Sequence, residues 1–90
     1  MPTGRGGTGC GAIDGTLYVA GGEGNTAATS GVFANVEAFT ASTNTWTQLA
    51  PMPDPKHGVG GSVWNGALYL CGGADRAGFG AIATTDIFRP

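Results

Sequence analysis

The chemistry open to this chain rests on few side chains. Residues 4–11 read GRGGTGCG, and Gly4, Gly6 and Gly9 satisfy G-x-G-x-x-G, the spacing of a dinucleotide-binding turn. That turn works only where the glycines follow a strand and open a helix whose first amides receive the pyrophosphate. Here nothing strand-like precedes Gly4, and the run leads toward Asp14-Gly15, a hairpin signal, so both halves of the context fail. His57 is the only histidine, which excludes a His-rich metal site within one chain. No Ser-His-Asp or Cys-His set can be drawn, and no Asn-x-Ser/Thr sequon occurs. Cys10 and Cys71 are too few and too far apart for a disulfide framework, and are expected as two buried free thiols. No metal and no cofactor are expected.

The elements that must carry these residues follow from composition. Ninety residues make one small domain at most. The apolar share is 41%, but the charged share is only 11%, against roughly 25% in an ordinary soluble domain. Eighteen glycines lie near short runs rich in Val, Leu, Tyr and Phe, a pattern of tightly turned β-structure. A net charge of −2 without a Lys/Arg cluster argues against nucleic acid or an anionic membrane as partner. No apolar stretch approaches 18 residues, and the N-terminus lacks the charged and apolar regions of a signal peptide.

An internal repeat organises the chain. A shift of 51 residues places Met1-Pro2 on Met52-Pro53, Gly7 and Gly9 on Gly58 and Gly60, and Gly15 on Gly66. It also places Leu17-Tyr18 on Leu68-Tyr69 and Gly21-Gly22 on Gly72-Gly73. Arg5 falls over Lys56, and at a shift of 49 Glu37-Ala38-Phe39 falls over Asp86-Ile87-Phe88. Asp14-Gly15 and Asn65-Gly66 each predict a two-residue hairpin, because both central residues of a type I′ turn need positive φ. The turns join strands predicted over 8–13 and 16–20, and over 59–64 and 67–71. A third strand is predicted over 36–39 or 85–88, and the first copy adds a fourth over 46–49. Helical spacing of apolar residues is absent, so the class is all-β, built of antiparallel meanders.

The runs GTLYVAGG and VEAFTASTNTWTQLAPMP, repeated as GALYLCGG and TTDIF, resemble the kelch repeat: Leu-Tyr before a double glycine, an acidic-x-aromatic strand, then Asn-x-Trp. The resemblance implies a β-propeller with one blade per repeat, over residues 1–51 and 52–90, the second lacking its fourth strand. Two blades alone would leave apolar sheet faces in water and an unpaired edge at 85–88. A lone monomer is therefore not expected. The partners would be further copies, three giving six blades and four giving eight, or the remainder of a longer propeller. With Met1 aligned on Met52, no spare strand is expected before the first blade to close that edge. Glycines in both innermost strands suit the place where blades converge and side chains have least room.

Ligands of kelch propellers meet the face made by two sets of loops, which map here to residues 1–6 and 51–57, and to 23–35 and 74–83. Arg5 and Lys56 hold a position where many kelch repeats carry a basic residue facing that surface. With His57, Glu23, Asn25, Asp75 and Arg76 they form the candidate binding site. Tyr18, Tyr69 and Trp46 are expected in packing between blades, and Trp64, aligned with Ile13, as a larger core residue. Glu37 and Asp86, at one repeat position, are expected to make structural hydrogen bonds rather than to act as paired catalytic acids. The implied function is a binding or scaffold module for a protein segment or a small ligand such as a carbohydrate. An enzyme is the alternative. One form of it, a copper-radical oxidase centre, needs tyrosine, histidine and cysteine ligands, and is the less favoured form because both tyrosines here are tied to the repeat position and histidine occurs once. An isomerase acting on sugars such as sialic acid would use Arg and acidic loop residues. A third reading is an assembly fragment with no function of its own.

Overall fold

The computed structural model describes all of residues 1–90. Seven strands follow in order: β1 Gly9–Ile13, β2 Thr16–Ala20, β3 Val36–Thr40, β4 Thr45–Leu49, β5 Gly60–Trp64, β6 Ala67–Cys71 and β7 Thr85–Phe88. They form two antiparallel meanders, a four-stranded sheet β1-β2-β3-β4 and a three-stranded sheet β5-β6-β7. Strand ends lie within one residue of the sequence expectation. The hairpin turns are as read: Asp14 and Gly15 have φ of 48° and 79°, Asn65 and Gly66 51° and 73°.

Register decides what each face carries. Gly11 pairs with Tyr18 and Tyr18 with Ala38, so Gly9, Gly11, Tyr18, Ala20, Val36 and Ala38 share one face of the first sheet. In the second sheet Gly61 pairs with Leu70 and Leu68 with Phe88, which puts Val63, Leu68, Leu70 and Phe88 on one face. These two faces pack together. Ala20, Val36, Met52, Leu68 and Leu70 are buried as one core, with Ile13, Tyr18, Leu49, Val59 and Phe88 against it. Burying a side chain the size of Leu68 or Leu70 stabilises by about 1.5–3 kcal/mol. Tyr18 and Phe88 bridge the sheets with ring centroids 5.0 Å apart.

The inner strands approach so closely that glycine is required. A Cβ at Gly11 would lie 2.6 Å from Val63 Cγ2 and 2.9 Å from Leu68 Cδ1, and one at Gly61 would lie 2.9 Å from the Cys10 backbone. Gly60, the repeat equivalent of Gly9, meets nothing within 4 Å, because the opposite face of β5 is bare. The bare outer faces of the two sheets correct three expectations. Every residue of β5 is exposed, and Trp64 is 68% exposed rather than a core residue; its ring contacts Tyr69 edge-on at 6.2 Å. Cys10 and Cys71 are free thiols but both are exposed, not buried. Cys10 alternates with the packed glycines of β1, and Cys71 pairs with Gly60, so both point away from the sheet–sheet contact.

Candidate functional site

Before each first strand, the chain is tied to the loop that follows the second strand. Gly6 exchanges backbone hydrogen bonds with Glu23 at 3.2 and 2.8 Å, and His57 with Ala74 at 2.9 Å in both directions. The sheets are tied at this end by Gly22 N to Lys56 O (2.8 Å), Gly58 N to Gly7 O (2.7 Å) and Ala77 N to Ser30 O (2.8 Å). Within GRGGTGCG these bonds use the Gly6 amide and the Gly6 and Gly7 carbonyls. The glycine motif thus serves loop pairing and close packing, with no helix behind it.

Arg5 and Lys56 lie beneath that loop layer, which corrects their expected place on the surface. The Arg5 side chain is fully buried. Its Nη2 sits 2.8 Å from Glu37 Oε1, and its Nη1 donates to the carbonyls of Gly21 and Asn35. Thr3 Oγ1 donates to the second Glu37 oxygen at 2.7 Å. A guanidinium has its five donors in a planar fork, so it can clamp a carboxylate and the ends of two strands at once. Burial alone would raise the Glu37 carboxyl, but the Arg5 and Thr3 hydrogen bonds and the Arg5 charge bring it below its ordinary value.

The second sheet repeats this arrangement with weaker parts. Lys56 is also fully buried and donates to the carbonyls of Leu70 (3.2 Å) and Thr84 (3.4 Å), while Asp86 Oδ2 stands 3.4 Å from its Nζ. That Asp86 oxygen is buried and accepts no hydrogen bond. Where the first copy has Thr3 the second has Asp54, a second carboxyl. Burial first, then the Asp54 carboxyl, raise Asp86 above its ordinary value, and Lys56 opposes them without prevailing. Glu37 thus makes the structural hydrogen bonds that its repeat position suggested, whereas Asp86 stands beside Lys56 as an ion pair without a hydrogen bond to its buried oxygen. Their partners were within reach of the sequence, since the alignment that stacks Arg5 on Lys56 also stacks Glu37 on Asp86.

Above this layer, residues of both sheets converge. His57 Nε2 lies 2.7 Å from the Arg76 carbonyl, and a carbonyl can only accept, so Nε2 carries a hydrogen. His57 Nδ1 faces Glu23 Oε1 at 3.5 Å, which makes an ion pair whenever the imidazole is protonated. Glu23 belongs to the first copy and His57 to the second; the residue at the His57 position in the first copy is Gly6, so the contact has no repeat equivalent. Asp75 and Arg76 project beside them, 3.7 Å apart and more than half exposed. Asn25 instead secures its own loop, through Nδ2 to the Val32 carbonyl (3.0 Å) and Oδ1 from the Ala27 amide (3.1 Å). Between the loops of the two sheets opens a cleft of about 420 Å³, with Ser30, Asp54, Asp75 and Thr84 on its walls. No group of three or more His, Cys, Asp or Glu side chains gathers anywhere as a metal cage.

Known proteins share this arrangement. A family model described as the kelch motif matches residues 4–53. Kelch-like protein terF of Aspergillus terreus is 36% identical over 90 residues, which is all of this chain and 20% of that protein. Kelch-like ECH-associated protein 1A of Danio rerio is 38% identical over 68 residues, 76% of this chain and 11% of its own length. Among solved structures, that of YjhT superposes with a TM-score of 0.69 at 34% identity, over 80% of this chain and 21% of the other. The chain thus spans about a fifth or less of the proteins it resembles. With the motif matched across the first sheet and repeated in the second, the chain belongs to the kelch-repeat family, and its sheets are blades of a β-propeller.

Proposed function

We propose that this chain is a binding module, with units 1–51 and 52–90 as blades of a larger propeller whose loop face recognises a protein segment or a small ligand. The observation that carries this reading is the convergence of Glu23 from one blade with His57, Asp75 and Arg76 from the next. Arg76 has Asp75 as its one charged neighbour, at 3.7 Å, and its side chain is 68% exposed, so it can meet an anionic group without breaking a buried pair. Arg5 and Lys56 support the site from below, since their carbonyl contacts fix the strand ends from which the loops spring. Further blades, supplied by three or four copies or by the remainder of a longer propeller, cover the bare face of β5. The exposed Trp64 and Ile87 on that side support this part of the reading.

A peptide library displayed on phage, selected against the chain, tests the binding site. Arg76→Ala and Glu23→Ala should each weaken the selected peptides about tenfold, while Asn25→Ala leaves them unchanged. Equal affinity for all three variants rejects the loop site. Incubation with sialic acid, followed by NMR of its anomers, tests the enzymatic alternative; accelerated interconversion would favour it.

A further inference from the structure

The two hairpin tips of the inner strands occupy one repeat position, yet one carries Asp14-Gly15 and the other Asn65-Gly66. Of the four asparagines in the chain, at 25, 35, 44 and 65, only Asn65 is followed by glycine. That pairing matters because the amide nitrogen of the next residue can attack an asparagine side chain, and glycine offers it no steric cover. Asn25 and Asn35 engage their side-chain amides with the Val32 carbonyl and the Thr3 hydroxyl, whereas Asn65 is exposed and bonds to no protein group. The Gly66 N–H likewise donates to no carbonyl, so electrophile and nucleophile are both free. The tip lies just beyond the pair of Trp64 with Ala67, the last of β5 with β6, where local opening costs least. A neighbouring blade does not cover this position: Asp14 and Gly15 are exposed even though their sheet packs against the second.

We propose that Asn65 is a site of spontaneous covalent modification, converted through a succinimide to aspartate or isoaspartate. The Gly66 nitrogen bonds to Asn65 Cγ, the Cγ–Nδ2 bond breaks, and Nδ2 leaves as ammonia with the proton from Gly66. Water then opens the ring at one of its two carbonyls. Opening at Cγ frees an aspartate on the original main chain. Opening at the Asn65 main-chain carbonyl routes the chain through Cγ as isoaspartate. The fold separates these products. An aspartate recreates the turn of the first blade, where Asp14 and Gly15 have φ of 48° and 79° against 51° and 73° for Asn65 and Gly66. An isoaspartate lengthens the two-residue turn by a methylene, which no longer fits the pairing of Val63 with Leu68 and Gly61 with Leu70. Leu68 and Leu70 belong to the buried core, so that product weakens the second blade. The site lies at the sheet ends away from the loop face and does not depend on binding there.

The test incubates the folded protein at physiological temperature and mildly alkaline pH, then digests it and sequences the fragments by mass spectrometry. Asn65 should gain about 1 Da, an amide nitrogen exchanged for oxygen, at least tenfold faster than Asn44. Asn44 is the matched control: exposed, at φ of 54°, but followed by Thr45. Ion exchange separates the products from the parent by their added negative charge, and electron-transfer fragmentation tells aspartate from isoaspartate. Asn65→Asp should melt with the parent protein, while the isoaspartate form should melt at a lower temperature. Equal rates at Asn65 and Asn44, or conversion in the urea-unfolded chain alone, overturns the proposal. So does an isoaspartate form as stable as Asn65→Asp.

Discussion

The two blades answer one problem, how to hold a buried carboxylate on the third strand, with unequal means. In the first, Glu37 meets a forked guanidinium and a threonine hydroxyl, with contacts of 2.8 and 2.7 Å. In the second, Asp86 meets one ammonium at 3.4 Å and an aspartate where the hydroxyl should be. The difference follows from three substitutions at matched positions: Thr3 to Asp54, Arg5 to Lys56 and Glu37 to Asp86. A buried ion pair is as strong as the hydrogen bonds that complete it. The first blade completes its pair; the second relies on a carboxyl that burial and the Asp54 carboxyl push above its ordinary value.

The largest expected effect breaks the comparison at its cations. Arg5→Ala strands the Glu37 carboxylate in the core and should cost about 3–5 kcal/mol, the usual penalty for removing one partner of a buried pair. Lys56→Ala should cost less by about 1 kcal/mol or more, because Asp86 can take up a proton instead of remaining as an unpaired buried charge. Urea denaturation at neutral pH measures both, and equal losses would mean that the blades do not differ in this way. A second contrast concerns packing. Gly11→Val drives a side chain into Val63 and Leu68 and should cost about 1–3 kcal/mol. Gly60→Val, with open space around it, should stay within about 0.5 kcal/mol. A comparable loss at Gly60 would show that its face is covered in solution.

The smallest effect sharpens the comparison through pH. Glu37 is held below 4.5, so its contribution to stability is present above that value and fades as pH falls through its lowered folded value. Asp86 is raised above 3.8, so its contribution has the opposite sign: it is present below 3.8 and is lost as pH rises through the raised folded value. Asp54→Thr gives Asp86 the hydroxyl donor that Glu37 already has. It should stabilise the protein by about 1 kcal/mol at neutral pH, the worth of one hydrogen bond. The gain should shrink toward pH 3, where the wild-type carboxyl carries its proton; a gain independent of pH would sink the assignment. Thermal melts across that range measure it.

Much of this architecture was legible in the chain. The Asp14-Gly15 and Asn65-Gly66 turns, the double glycines and the apolar runs located all seven strands. The paired spacing of Arg5 with Glu37 and of Lys56 with Asp86 already contained the two ion pairs, although loop position suggested a surface role for the cations. The candidate site was legible only in part. Glu23, His57, Asp75 and Arg76 do converge at the loop layer, but Asn25 turned inward to its own loop. Trp64 and the two cysteines are exposed where their residue types predict burial, because exposure depends on which sheet face meets a neighbour.

By itself, then, the sequence determined the local conformations: turns set by positive φ, strands set by alternation, and a repeat that makes both sheets alike. Tertiary structure decided which copies of a repeated feature are used. Gly11 is pressed against Val63 while Gly60 meets open space, and Phe39 is stacked on Trp46 while Phe88 borders an open cleft. The physical reason is that strand and turn preferences act within a few residues, whereas burial is settled between surfaces, and in this molecule one face of each blade lies against its neighbour while the other lies bare.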